Sequence, residues 1–390
     1  MSWKILASLR APACLVENRN VGNTLPTLDY IPGSTLRGLL AQIYLEQPGH
    51  KVDDQFQQLF LNDAVSYPDL LPRGGRVIPL TALSCKYHPG FLSDAQHGVV
   101  DAVLPWLRRL YSITAELDPS IRECGYPNCK APLDRLGGYY ELSDKDEKQV
   151  PVGRRLLART AILESREVAR PGHLYTLEAL AEEQEFSGNL RAADDEVSHL
   201  KMLLSAQPRG WIGTARSRGL GEVHLSLFQE EDQRRSSLEK RVTEFNRRLH
   251  SDAKITCFSV TLHSDVILLD ELLGFRGELP ICDLRAAAGG LPDVSVLNKF
   301  AFLTGWTDTR RIAGWQAVWG LPKGEEQALR RGSVFVYALA DRAQNLSDEE
   351  SKQLLDILST IEQNGLGERP SEGFGRLRIC DEFHWENKEK

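Results

Sequence analysis

The 390-residue sequence contains no apolar run near the roughly 18 residues that cross a bilayer, and its opening, MSWKILASLRAPA, lacks the basic start and long apolar stretch of a secretory signal. The expectation is a cytoplasmic chain with no membrane partner. Surplus positive charge is missing too: 47 Lys and Arg stand against 54 Asp and Glu, a net −7. That argues against a protein that coats nucleic acid indiscriminately, because such binding rests on phosphate neutralisation by excess cations. Seven cysteines, at 14, 85, 124, 129, 257, 282 and 380, are odd in number and scattered, which fits reduced thiols or a metal site better than a disulfide framework. No Gly-Lys-Ser/Thr ends a phosphate loop, and no Gly-x-Gly-x-x-Gly joins a strand to a helix. The deaminase pattern of His-x-Glu with a later Pro-Cys-x-x-Cys is absent as well; His384-Trp-Glu386 sits alone in a charged tail.

What is present is an ordinary globular composition, 42% hydrophobic and 26% charged, on a chain long enough for more than one domain. One element order, β-α-β-β-α-β, reads twice. Trp3 to Leu9 is a strand, and Leu36, Leu39, Leu40, Ile43 and Tyr44 recur at helical spacing. His173 to Leu180 and Glu185 to Leu190 read as a strand pair, Asp194 to Ser205 as a helix and Gly221 to Phe228 as a closing strand. After a polar stretch, the pattern restarts with strands at Ile255 to Leu262, Arg311 to Trp319 and Ser333 to Leu339. A loosely periodic first helix covers Leu291 to Phe302, an amphipathic helix Asp348 to Glu362, and a strand Phe374 to Ile379 closes the unit. The expected fold is α+β: two ferredoxin-like (RRM-like) units in tandem, residues 1–230 and 254–390, with 231–253 as a linker. The first unit carries an insertion at about 50–150, and the second is degenerate.

Three features carry chemistry. Each closing strand follows a glycine-dense loop, Gly213-Thr-Ala-Arg-Ser-Arg-Gly219-Leu-Gly221 in one unit and Gly365-Leu-Gly367 through Gly373-Phe-Gly375-Arg376 in the other. Absent side chains would let a sugar-phosphate chain lie against the first loop while Arg216 and Arg218 pair with phosphates. Basic residues also concentrate locally: Arg154, Arg155, Arg159, Arg166 and Arg170 face only Glu164 and Glu167, and Arg209 to Gly221 holds three arginines and no acid. The first of these segments reads as an arm over a bound strand. Ser34 and Thr35, at a helix start with Arg37 one turn in, could cap the helix and leave N–H groups for a phosphate. Finally, Cys85, His97, Cys124 and Cys129 inside the insertion make a four-ligand set for structural zinc, with His88 as the alternative histidine.

Tyr30-Ile-Pro-Gly-Ser-Thr-Leu-Arg-Gly38 resembles the Ile-Pro-Gly-Ser segment of RAMP proteins, and the glycine loops sit where that superfamily carries its own. Arg159-Thr160-Ala161, the run Gly172 to Ala179 and Gly332-Ser-Val-Phe335 are similar to the RAMP subunit particular to type III-D CRISPR systems. The resemblance implies a non-catalytic subunit of an RNA-guided antiviral effector complex, gripping guide RNA (crRNA) at its 5′ handle. It implies partners too: a large polymerase-cyclase-like subunit, backbone RAMP subunits and a small subunit, with target RNA reached indirectly. The expected RNA contacts are Ser34, Thr35, Arg37, Arg154, Arg155, Arg159, Arg166, Arg170, Arg209, Gly213, Arg216, Arg218, Gly219, Gly221, Arg369 and Arg376. Two other functions compete with this one. A metal-independent endoribonuclease would use His173 or His224 as acid-base, and an assembly factor would dock neighbours through Trp306, Trp315 and Trp319.

Overall fold

The computed structural model describes residues 2–16, 24–93, 95–111, 122–142, 147–163, 168–230, 236–249, 254–316, 320–341 and 344–385. Arg166 and Trp319 lie outside these residues, as do the side chains of Arg170, His173 and Trp315.

Alternation shapes the first sheet. Along Ser2–Leu9 the side chains of Ile5, Ala7 and Leu9 are buried, and the strand pairs antiparallel with Glu185–Leu190 on one side and Glu222–Glu230 on the other. Leu71–Pro72 flanks Glu185–Leu190, and Arg209–Trp211 adds an edge beyond Glu222–Glu230. Without that edge the spatial order is fourth, first, third, second, the ferredoxin-like arrangement. Helices Gly33–Glu46 and Asp194–Ala206 bury Leu36, Leu39, Leu40 and Ile43 and Val197, Leu200 and Leu203 in the same core. Each such side chain contributes about 1.5–3 kcal/mol by leaving water.

The second sheet has the same order. Leu377–Ile379, Cys257–Leu262, Val334–Leu339 and Phe300–Trp306 lie side by side as fourth, first, third and second strands. Cys257–Leu262 and Val334–Leu339 are buried at every position, as strands covered on both faces must be. Helix Asp348–Asn364 packs into this core, fixed at its start by a capping box of Ser347 and Glu350. So does Leu238–Leu249: the stretch expected as a linker carries a helix whose Val242 and Phe245 are fully buried in the second core.

Four elements differ from the expectation. The first unit's second strand is Leu71–Pro72, so the insertion enters after it and not directly after the first helix. Val168–Leu180 pairs instead with Arg154–Leu163 as a separate long hairpin, the arm. In the second unit, Phe300–Trp306 is a strand where a helix was expected. The helical elements before it are Ile281–Ala287 and a 3-10 turn at Ser295–Lys299. The strand expected at Arg311 to Trp319 does not join the second sheet: its described residues lie in two small ribbons, Thr309–Ile312 with Glu326–Leu329 and Trp315–Gln316 with Leu321–Pro322. A short apolar run such as Phe-Ala-Phe-Leu fits either period, and packing decides. The insertion also ties the units together, since Val103, Leu104 and Leu107 of its helix Val103–Tyr111 are buried in the second core.

Candidate nucleic-acid interface and metal centre

The two glycine loops match position for position. Gly213 and Gly367, Gly219 and Gly373, and Gly221 and Gly375 all have positive φ, and Ala215 and Arg369 are left-handed at equivalent places. Single 3-10 turns, Arg216–Arg218 and Pro370–Glu372, sit inside them. Ile212 N–H donates to Gly221 O at 2.8 Å and Leu366 N–H to Gly375 O at 2.9 Å. A side chain at Gly221 or Gly375 would collide with the carbonyl of Ile212 or Leu366 and would be held at a φ of 82° or 81°.

Their surroundings are opposite. The second loop is buried against the first unit's helix start: Tyr67 N–H donates to Ser371 O at 3.0 Å, and a Cβ on Gly33 would strike the carbonyl oxygens of Tyr67 and Glu372. Glu372 receives Arg37 at 2.6 Å and also pairs with Arg369 and Lys323. Burial pushes its carboxyl up, but Arg369, Lys323 and Arg37 outweigh this and hold it below the ordinary range. Arg369 also pairs with Glu326, and Arg376 donates to Asn189 O, Ser66 O and Ser66 Oγ. The structure therefore places Arg37, Arg369 and Arg376 in the junction between units.

The same junction corrects the helix start. The N-cap is Pro32, without a side-chain cap, so Ser34 and Thr35 lie in the first turn and do not cap it. The Gly33 N–H instead donates to Asp69 Oδ1 at 2.9 Å, a carboxylate taking the place expected for a phosphate. Asp69 Oδ2 accepts from Arg331 at 2.7 Å, and Arg331 lies 3.6 Å over the Tyr30 ring and reaches Asp265 at 3.2 Å. Tyr30 to Gly33 are thus the seam on which the second unit sits.

The first loop is open. Arg216, Ser217, Arg218 and Gly219 are exposed, and Arg216 donates to Gln42 Oε1 at 3.2 Å. The arm is rooted beside it: Leu177 and Ala179 pack with Cys14 and Leu220, with Leu157, Tyr175 and Ala215 at the margin. Arg218 donates to Tyr175 Oη at 2.6 Å. Strand alternation puts Arg155, Leu157 and Arg159 on one face of the arm, across from Ala179, Leu177 and Tyr175. Arg159, exposed and without an ion pair among the described residues, therefore shares a side with the loop. Loop and arm thus bring Arg159, Arg216, Arg218 and Tyr175 to one side, Tyr175 being the one residue of this set not singled out from sequence. Arg155 pairs with Glu182 and Arg154 with Glu178. Arg209 lies at the sheet edge with Glu222 and Trp211, and His224 is exposed across the ladder from it. Trp306 is half-buried, edge-on to Trp106 of the insertion helix.

The four metal-ligand residues converge. The strands Ala82–Cys85, Val99–Asp101 and Leu133–Arg135 form one small sheet, with Cys85 ending the first, His97 just before the second, and a turn carrying Cys124 and Cys129 before the third. Their ligand atoms all lie within 4.8 Å of one another. Cys85 Sγ is 3.9 Å from Cys129 Sγ, and Cys124 Sγ is 3.4 Å from His97 Nδ1. Tetrahedral zinc with bonds of about 2.3 Å to sulfur and about 2.0 Å to nitrogen needs separations of about 3.8 and 3.5 Å, so the donor set fits. Burial raises both thiols. At Cys85 the His88 and Tyr87 N–H groups outweigh it and lower the pKa, whereas Cys124, with one N–H from Tyr126, stays at about 11. His97 is stacked between Tyr126 and His88, with centroids at 4.0 and 4.3 Å, so His88 flanks the ligand histidine.

No family model matches the chain, and no curated protein matches it. Among solved structures it is similar to a type III-B Cmr-beta complex bound to cognate target RNA, at 12% identity over 91% of this chain and 94% of that one, TM-score 0.40. It is also similar to a RAMP protein binding different RNA substrates, at 9% identity over 98% and 100%, TM-score 0.34. A third is a Cas6-related protein of Pyrococcus furiosus, at 9% identity over 97% and 98%, TM-score 0.36. The tandem ferredoxin-like fold stands on the two strand orders themselves.

Proposed function

We propose that this chain is a non-catalytic RNA-binding subunit of a type III CRISPR effector complex, of the RAMP variety particular to type III-D systems, and that it grips guide RNA backbone at the 5′ handle end. The observation that carries this is the unequal use of two matching glycine loops. One is consumed in holding the units together, and the other is left open with Arg216 and Arg218 exposed beside the arm. Backbone with few side chains, guanidinium groups at its rim and one aromatic beside them suit a single-stranded sugar-phosphate chain. The arginines supply the charge that a net −7 chain otherwise lacks. Structural zinc at Cys85, His97, Cys124 and Cys129 is part of the same proposal.

Reversing both loop charges, Arg216→Glu with Arg218→Glu, is expected to weaken binding of single-stranded RNA about ten- to a hundredfold. The slope of log K against log salt should flatten by about 1.4, since each lost phosphate contact removes about 0.7 on a single strand. Equal affinity and slope for wild type and variant in a filter-binding series would remove the loop from the interface. Labelled repeat RNA incubated with the protein without metal should stay intact; site-specific cleavage that His224→Ala abolishes would replace the scaffold by a nuclease.

A further inference from the structure

A cleft of about 280 Å³ opens where the base of the arm meets both units, and it lies apart from the face of the arm that looks onto the glycine loop. Its walls include Arg154 from the arm, Arg310 and Arg330 with Thr309 from the second unit, and Leu28 and Asp29 from the first. Three arginines, one from the arm and two from one ribbon of the second unit, thus line a space at the lower end of small-molecule pockets, which begin at about 300 Å³. It is too small for a strand. It has room for one phosphate-bearing group.

The acids around the cleft each accept a hydrogen bond, and Asp29 is itself one of the lining residues. Glu178 accepts from Arg154 at 3.1 Å and from the Thr27 N–H at 3.1 Å. Asp308 accepts from Arg330 at 3.0 Å and from the Thr309 N–H at 2.9 Å. Asp29 Oδ1 accepts from Tyr139 Oη at 3.0 Å. An arginine carries five N–H donors, and the contacts to Glu178 and Asp308 use one terminal nitrogen of Arg154 and one of Arg330. Arg310 is only 16% exposed, 3.7 Å from Asp265 and 5.7 Å from the Tyr30 ring centroid.

We propose that this cleft binds a terminal phosphate, the phosphomonoester of a nucleotide. A monoester brings a charge of about −1.5 to −2 and three acceptor oxygens, which three guanidinium groups match better than they match the single charge of an internal diester. Leu28 offers the one apolar wall, against which a sugar or base can lie. The source is either the end of a bound RNA, which rests on the function proposed above, or a free mononucleotide, which does not.

The full chain is titrated with AMP, adenosine and inorganic phosphate by calorimetry. AMP should bind saturably, adenosine at least about tenfold more weakly, and phosphate should compete with AMP. Arg330→Ala, at a side chain 52% exposed and so tolerable to the fold, should weaken AMP about tenfold; Arg154→Gln is the second variant and should act likewise. Single-stranded RNAs ending in phosphate or hydroxyl then separate the sources. A phosphate preference lost in Arg330→Ala assigns the cleft to an RNA end, and AMP binding without such a preference assigns it to a free nucleotide. The Arg216→Glu, Arg218→Glu protein should keep AMP affinity whether or not the loop binds RNA. Equal binding of AMP and adenosine, no AMP binding at all, or AMP affinity unchanged in both cleft variants would overturn the proposal.

Discussion

Arg331→Ala is expected to cost about 3–5 kcal/mol of stability and to loosen the second unit from the first, because it strands the buried Asp265 carboxylate and the partly buried Asp69. Arg331 is 7% exposed and bonds Asp69 of the first unit and Asp265 of the second, the latter only 1% exposed. Without it, Asp265 retains the Arg310 guanidinium at 3.7 Å, and Asp69 keeps the Gly33 N–H. Burial pushes both carboxyls up. At Asp69 it prevails over Arg331 and the Gly33 N–H, whereas at Asp265 Arg331 and Arg310 outweigh it and hold the group below its ordinary value.

The sign of the pH dependence follows. In the wild type, Asp265 contributes stability that is present above the unfolded carboxylate value of about 3.9 and is lost as pH falls through its lower folded value. Asp69 contributes in the opposite sense: its ionisation opposes folding once pH rises past the unfolded value. In Arg331→Ala both carboxylates are left under-compensated, so both oppose folding as they ionise. The cost of the substitution should therefore be smallest at the acid end, below the folded value of Asp265, and grow toward neutrality in urea unfolding series. Adding Asp69→Asn and Asp265→Asn should recover much of the loss, since the uncompensated charge is what is expensive. A loss below about 1 kcal/mol at pH 7, flat with pH, would mean that the seam is held by packing alone.

How much of this was legible in the sequence depends on how far apart the partners lie. The glycine loops were legible because Gly221 and Gly375 occupy conformations that only glycine tolerates, so composition alone marks them. The burial of one loop was not: it depends on Gly33, Tyr67 and Arg37, more than 300 residues from Glu372. One local sign existed, namely that Glu372 stands where the first loop has Arg218, which is the wrong charge for a second phosphate contact. Ser34 and Thr35 were natural caps by type, but Asp69, 36 residues from Gly33, reached the helix end first. Leu71–Pro72 was invisible because two residues carry no period. The longer His173 to Leu180 run, part of the arm, stood in its place.

The four candidate metal ligands were legible as types at workable spacings, and the role proposed for them gives the other large expected effect. Among the described residues, the buried side chains in their cluster are Cys85, Cys124 and Ala131, with Cys129 and Leu133 packed alongside. That is too little apolar area to order three short strands and a turn. The structural zinc proposed above would supply what is missing, with apparent binding free energies of about 10–16 kcal/mol in small zinc domains. Chelation should therefore melt this lobe selectively: hydrogen-exchange protection is expected to vanish at Ala82–Cys85 and Leu133–Arg135 while both ferredoxin-like sheets keep theirs. The helix Val103–Tyr111 should persist longer than the strands, because Val103 and Leu107 are anchored in the second core and not in the lobe. About one zinc per chain should accompany the purified protein, and Cys124→Ser or His97→Ala should remove it. His88→Ala should retain the metal, since that ring stacks on His97 and lies outside the ligand set. Metal-free protein whose lobe stays protected in chelator, or loss of zinc in His88→Ala but not in His97→Ala, would refute the assignment. The first result would show that the thiols are merely buried, and the second that the histidines exchange roles.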